Sequence, residues 1–171
     1  MNLQNITVRA SGIYPEIVEA TDDPQTVAIL KDLAFSRESE LSAILTYMYQ
    51  STIADKTDPD IGKVFEEIGM VEMTHLSLLM HAITSFGGVP KYENSNGVPF
   101  NTNYINYTTK LKEMLENNIR GEQNGINNYN HAIRMFKNQS LKDLIARIIQ
   151  DEQKHVETLK YIRDNVNFLS Y

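Results

Sequence analysis

A chain of 171 residues with 42% hydrophobic and 22% charged residues has the length and composition of one globular domain with its own core. It contains no cysteine, which excludes disulfides, thiolate zinc sites, iron–sulfur clusters and a cysteine nucleophile. The net charge of −6, and the absence of an apolar run of membrane length or a signal peptide, predict a cytoplasmic protein with neither a nucleic-acid nor a membrane partner.

Residues 1–22 show no clear period, and we expect them to form an N-terminal arm. Behind this arm, Asp23 and Asp58 each precede a proline, which is typical of a helix start. Ser140, with an acidic residue three positions on, resembles a capping box. Apolar residues three and four positions apart predict four helices, over about residues 24–54, 59–86, 104–137 and 140–167.

The links between the predicted helices differ in length. The first and second helices, and the third and fourth, are joined by short links, so each pair can form an antiparallel hairpin. A long segment over about 87–107 separates the pairs and could cross the length of a bundle. The sequence therefore predicts an all-α, ferritin-like four-helix bundle, two hairpins joined by a long crossover, as a single domain over residues 1–171.

Ionisable side chains interrupt the apolar face of every predicted helix. Two of the helices contribute one glutamate each, and the other two contribute a glutamate and a histidine three residues apart. Residues three apart lie on one face of a helix, so each Glu-x-x-His pair can bind one ion. The interrupting residues are Glu40, Glu72, His75, Glu122, Glu152 and His155.

Four carboxylates inside one bundle need compensating charge. An isolated buried carboxylate costs several kcal/mol, or else becomes protonated through a raised pKa. Two divalent cations supply four positive charges and make the core neutral. An oxygen-rich ligand set with one imidazole per ion suits iron or manganese better than a metal that prefers thiolate ligands.

A repeat of the polar pattern supports this interpretation. Tyr47 and Tyr129 each follow a single glutamate by seven residues, so each phenol lies two turns along the same face. We expect each to donate a hydrogen bond to a carboxylate from another helix. Glu38 is the alternative to Glu40 if the phase of the first helix differs, although the spacing to Tyr47 favours Glu40.

Several segments resemble the ferritin-like di-iron carboxylate superfamily, and the likeness spans about residues 30–165. Residues 40–47 and 72–75 resemble the first two metal-binding helices of bacterioferritins, and residues 151–155 resemble the last. Gly121 and Glu122 resemble the third helix of rubrerythrins. The chain has Gly125 where rubrerythrins carry a further glutamate, and Met73 falls where bacterioferritins have a haem-ligating methionine.

The resemblance implies roles for the polar residues. Asp151 would orient an opposing histidine, His75, while Val71 occupies the matching position before Glu72 and gives no such support. Tyr47, Tyr129 and Asp151 are thus candidates to support the reaction. The implied terminal ligands are Glu40 and Glu122, the bridging ligands Glu72 and Glu152, and the imidazole ligands His75 and His155.

The implied activity is that of a dinuclear oxidoreductase, with two iron ions that reduce dioxygen or hydrogen peroxide and with ferrous iron oxidation as a related activity. Because the chain has no cysteine for an iron–sulfur or rubredoxin-type centre, electrons would come from an external donor. A homodimer is expected, because ferritin-like bundles often pair along a helix face. Two alternatives stay open: a di-manganese, catalase-like disproportionation of peroxide, and a non-catalytic iron-binding or storage protein.

Overall fold

The computed structural model describes Leu3 and residues 6–166, and it confirms the predicted all-α fold. Within these residues the only β-structure is an isolated bridge between Glu93 and Pro99. Residues 1, 2, 4 and 5 of the predicted arm, and residues 167–171 with the predicted end of the last helix, lie outside the described residues. The helices are α1 (Pro24–Phe35), α2 (Glu40–Ala54), α3 (Pro59–Ser85), α4 (Leu111–Met135) and α5 (Gln139–Asn165), with a 3₁₀ turn at Thr102–Tyr104.

The first predicted helix, 24–54, is divided into α1 and α2. Ser36 and Ser39 have extended backbones, and the carbonyl oxygen of Ser36 accepts hydrogen bonds from the hydroxyls of Ser39 (2.7 Å) and Ser42 (3.1 Å). Serine side chains that bond the local backbone compete with helix formation, and this competition explains the break. As a result, Glu40 lies in the first turn of α2, where the positive end of the helix dipole favours a carboxylate.

The third predicted helix begins at Leu111 rather than at residue 104. Polar residues before it bond locally or to α2: the backbone N–H of Asn106 donates to the Thr46 hydroxyl (3.2 Å), and the Asn106 side chain accepts from the N–H of Thr108 (3.0 Å). These bonds satisfy the backbone without helix formation. The segment between α3 and α4 is the predicted long crossover, and it contacts α1 through Glu93 and Lys31 (2.9 Å) and α2 through Asn106.

Side-chain caps define three of the helix starts. Asp23 accepts hydrogen bonds from two N–H groups of α1, and Asp58 accepts one from Ile61 of α3. The predicted cap at Ser140 is wrong: Asn138 caps α5 and accepts the N–H of Leu141 at 2.9 Å. Either residue type can cap a helix, so the sequence alone did not separate the two positions.

The helices pair as α2 with α3 and α4 with α5, and α1 packs chiefly on α3. Two apolar clusters fill the interior. In α3, Ile68 belongs to one cluster and Leu79 to the other; in α5, Leu159 and Ile148 are divided in the same way. Each fully buried aliphatic side chain stabilises the fold by about 1.5–3 kcal/mol. A layer of buried glutamate and histidine side chains, called the polar layer below, lies between the two clusters.

Among the described helices, none combines the length and the apolar character needed to span a membrane.

Candidate metal centre

The polar layer contains all six of the predicted ligand side chains. Glu40 begins α2, Glu122 lies in the middle of α4, and the two Glu-x-x-His pairs lie in α3 and α5. All six are buried, with no more than 6% of any of them exposed. The alternative candidate Glu38 is exposed and lies outside this group, because it precedes α2 in the break after α1.

The six side chains form two overlapping groups of four. One group consists of Glu40, Glu72, His75 and Glu152, and the other of Glu72, Glu122, Glu152 and His155. Within each group the facing ligand atoms lie within 4.8 Å of one another. Glu72 and Glu152 belong to both groups, which is the geometry that two neighbouring ions with bridging carboxylates require.

The two imidazoles face the shared glutamates from opposite helices. Nδ1 of His75 lies 3.2 Å from Glu72 Oε2 and 3.1 Å from Glu152 Oε1. Nδ1 of His155 lies 3.0 Å from Glu72 Oε1 and 3.6 Å from Glu152 Oε2. The ring centroids are 6.2 Å apart. Each ring therefore presents Nδ1 as its ligand atom, and the two carboxylates stand between the rings.

The electrostatics of this layer are those of a crowded acidic site. Burial, and then the charge of Glu72, raise the pKa of Glu40 well above its usual value, and burial with the charge of Glu152 does the same for Glu122. Burial alone would also raise the pKa values of Glu72 and Glu152, but hydrogen bonds from their neighbours outweigh it and lower both. Without bound metal, the two outer carboxyl groups, those of Glu40 and Glu122, are therefore the ones that bind protons, while Glu72 and Glu152 between them are ionised.

Several atoms of the layer lie close to ionisable neighbours but make no hydrogen bond of good geometry in the part of the chain that the structure describes. They include Oε1 of Glu72, Oε1 of Glu152 and both ring nitrogens of His155, and all of them are buried. A buried polar atom without a partner costs about 1–3 kcal/mol, and more when it carries charge. Cations bound between these oxygens and nitrogens would satisfy the unpaired atoms and the surplus negative charge together, so the residues fit a pair of divalent metal ions.

Two tyrosines fix the outer carboxylates across the bundle, and both predicted hydrogen bonds are present. The phenol of Tyr47 donates to Oε1 of Glu122, and the phenol of Tyr129 donates to Oε1 of Glu40. Both tyrosines are buried. Burial, followed by the negative charge of Glu122, raises the pKa of Tyr47 well above its usual value, so that its phenol stays a donor.

Asp151 binds His75, as the sequence predicted, with 3.0 Å between Oδ2 and Nε2. The sequence interpretation missed its other partners: Tyr14, which donates to Oδ2 at 2.8 Å, the N–H of Ala10 at 2.7 Å to Oδ1, and Arg147. The arm gave no periodic signal. The sequence did hold one indication of an ion pair at Asp151, because Arg147 lies one turn before it on the buried face of α5.

A cavity of about 200 Å³ leads from the protein surface to the carboxylates between α2 and α4. Tyr47, Tyr129 and four of the glutamates contribute to its lining, with Glu38 in addition at the outer side. Gly121 and Gly125 also line it, and a Cβ placed on either glycine would meet no atom within 4 Å. Two small residues in α4 thus leave an open path to the acidic layer.

The sequence model of the rubrerythrin family matches residues 31–162, which contain all six side chains of the layer. The chain belongs to the rubrerythrin family. A probable manganese catalase from Clostridium acetobutylicum is 22% identical over 156 residues, which cover 78% of this chain and 68% of that protein.

Solved structures share the ferritin-like bundle. A manganese catalase from Anabaena superposes with a TM-score of 0.80 at 19% identity, covering 92% of this chain and 80% of its own. A Desulfovibrio desulfuricans bacterioferritin, studied for its diiron site, superposes with a TM-score of 0.70 at 23% identity, covering 85% of this chain and 82% of its own. The predicted ferritin-like fold is confirmed by these likenesses.

The other two histidines, and the methionine that falls at the bacterioferritin haem-ligand position, lie away from the layer. His81 and His131 are exposed, and Met73 is 46% exposed on the outer side of α3. In this member of the rubrerythrin family, the buried glutamates and histidines of the described residues converge on one centre.

Proposed function

We propose that this protein is a dinuclear metal oxidoreductase, with two iron ions, that reduces hydrogen peroxide or dioxygen with electrons from an external donor. The observation that carries the proposal is the pair of overlapping four-residue groups that share Glu72 and Glu152. Glu40 and His75 would complete the site of one ion, and Glu122 and His155 that of the other.

When bound, the two ions would supply the pair of electrons that cleaves the O–O bond of peroxide. The protein contributes position and protons. The phenols of Tyr47 and Tyr129 hold protons at Oη against Glu122 and Glu40, and they orient these carboxylates from the opposite hairpin. The apolar clusters on either side of the layer exclude water from those two sides and so lower the dielectric constant around its charges.

The cavity between α2 and α4 supports access of a small oxygen-containing substrate. It reaches Glu40, Glu122 and both tyrosines, and its volume of about 200 Å³ exceeds the space that dioxygen or peroxide occupies. Gly125 stands where rubrerythrins carry a further glutamate, so one potential ligand is replaced by open space. A site open on one side suits catalysis better than a purely structural metal site.

A di-manganese catalase-like activity is the second candidate. The donor set of carboxylates with one imidazole per ion suits manganese as well as iron. The observation that favours this candidate is the 22% identity to a relative described as a probable manganese catalase. Such an enzyme disproportionates two peroxide molecules to water and oxygen, and it needs no external electron donor.

The test combines metal content with peroxide assays. Purified protein should contain iron, and should consume peroxide only when a reductant is supplied; manganese with donor-free oxygen release would instead favour the second candidate. Glu72→Ala and His155→Ala should abolish either activity. Glu66→Ala and His131→Ala, which change exposed residues of α3 and α4, are the matched controls.

Two results would contradict the proposal. One is full activity in Glu72→Ala and His155→Ala. The other is retention of many iron atoms per chain in a large shell without turnover of peroxide, which would indicate storage.

A further inference from the structure

The N-terminal arm closes over one carboxylate beside the metal centre. The backbone N–H of Ala10 donates to Oδ1 of Asp151 at 2.7 Å, and the Tyr14 phenol donates to Oδ2 at 2.8 Å. Asp151 is completely buried. Residues more than 130 positions away in the sequence thus provide two of the hydrogen bonds that fix the orientation of this carboxylate.

Arg147 joins the arm to α5 at the same place. Its Nη1 forms an ion pair with Oδ1 of Asp151 at 2.8 Å, while Nη2 donates to the carbonyl oxygens of Ala10 (2.7 Å) and Gly12 (3.3 Å). Its guanidinium also stacks over the Tyr14 ring at 4.7 Å. Gly12 has a φ of +102°, which a residue with a side chain rarely adopts, so glycine allows the arm to turn here.

Asp151 transmits this arrangement to the metal centre through His75. Its Oδ2 lies 3.0 Å from His75 Nε2, and the Tyr14 and His75 rings lie nearly perpendicular to each other with their centroids 6.1 Å apart. A carboxylate that accepts the outer N–H of a ligand imidazole fixes the tautomer and aims the other nitrogen. Nδ1 of His75 is thereby directed at Glu72 and Glu152.

The other half of the centre has no such attachment. Nε2 of His155 lacks a hydrogen-bond partner within residues 6–166 and Leu3, and Val71 occupies the position that corresponds to Asp151. The two groups of four residues therefore offer the same kinds of metal-ligand atoms, but only the His75 imidazole is held by a hydrogen bond from outside the group. A change in the arm should act on the His75 half alone, which provides an internal control.

We infer that Tyr14 and Arg147 are positioning residues for the metal ion held by His75, and that docking of residues 10–14 is thermodynamically linked to binding of that ion. The inference rests on the proposed function, since it requires that the centre bind two ions. By linkage, if the docked arm strengthens metal binding, then metal binding must stabilise the docked arm by the same factor.

Stepwise metal titration of the purified full chain, with Mn(II) and Fe(II) followed by EPR and absorbance, tests the first part. Tyr14→Phe keeps the ring and its contacts but removes the phenol that donates to Asp151. Loss of a group that supports a ligand imidazole typically weakens metal affinity by about 10- to 100-fold. Asp151→Asn should weaken one of the two binding steps within this range, and Tyr14→Phe should weaken the same step by about tenfold. Tyr161→Phe, at an exposed tyrosine of α5, is the matched control.

Hydrogen exchange tests the linkage without using activity. Metal should slow exchange of the Ala10 amide in the wild-type chain, and this slowing should shrink in Tyr14→Phe and in Arg147→Gln. Arg147→Lys, which retains the charge, should restore part of it.

The outcomes separate the two claims. A wild-type chain that binds two ions, with Tyr14→Phe equal to it or weakened equally at both steps, overturns the inference alone. So does an Ala10 exchange rate that metal leaves unchanged. A wild-type chain that binds no metal contradicts the proposed function and the inference with it.

Discussion

Gly125 leaves the path to the carboxylates open, and we expect its replacement by leucine to raise thermal stability and lower activity. The residue lines the cavity one turn after Glu122, on the same face of α4. A Cβ at this position meets no atom within 4 Å, so Gly125→Leu introduces no clash with the backbone. Its side chain would occupy part of a space of only about 200 Å³.

The two effects can be given magnitudes. Within a helix, leucine is more favourable than glycine by up to about 1 kcal/mol, which for a chain of this length raises Tm by roughly 2–4 °C. Access should change in the other direction. If the new leucine side chain of Gly125→Leu leaves the cavity open in about 10% of the molecules, kcat/KM for peroxide should fall by about tenfold, because only that fraction admits substrate.

Thermal unfolding and peroxide consumption, measured on the same metal-loaded preparation, check both signs. Metal content should equal that of the wild type, because Gly125 contributes no ligand atom. Asn127→Leu, at an exposed position of α4 outside the cavity lining, should change neither activity nor metal content. Unaltered kcat/KM in Gly125→Leu, with a normal metal content, would refute the access path.

Three further predictions concern the polar layer and its surroundings. Tyr129→Phe removes the phenol that donates to Glu40, so it should destabilise the protein by about 1.5–3 kcal/mol in urea unfolding, whereas exposed Tyr161→Phe should not. Chelation of the two metal ions should lower Tm by roughly 11–22 °C when both had been present at about 100 times Kd, because each site then contributes about 2.7 kcal/mol, and it should have no effect on Glu72→Ala. Leu79→Ala should cost about 2–5 kcal/mol, since this leucine is fully buried beside the layer, whereas Met135→Ala at an exposed position should change stability by less than about 0.5 kcal/mol.

The positions of the six polar side chains could be predicted because helix geometry is local. A glutamate and a histidine three residues apart must share a face, and a tyrosine seven residues from a glutamate must lie two turns along it. These relations hold whatever the neighbouring helices do. The hydrogen bonds of Tyr47 and Tyr129 followed from the same periodicity.

Features that depend on distant or competing contacts could not be predicted in this way. The break before Glu40 arises because Ser39 and Ser42 bond the backbone of Ser36, an interaction that a periodic apolar pattern does not reveal. The arm follows no period, and its function depends on contacts that join Ala10 and Tyr14 to Asp151 across nearly the whole chain. Such pairings become visible only in three dimensions.

The most direct test of the dinuclear centre is a metal count together with anomalous diffraction from crystals of the metal-loaded protein. We expect two iron or manganese ions per chain. One should lie beside Glu40 and His75, the other beside Glu122 and His155, with Glu72 and Glu152 between them. A single ion, ions at other residues, or two ions retained in Glu72→Ala would contradict it.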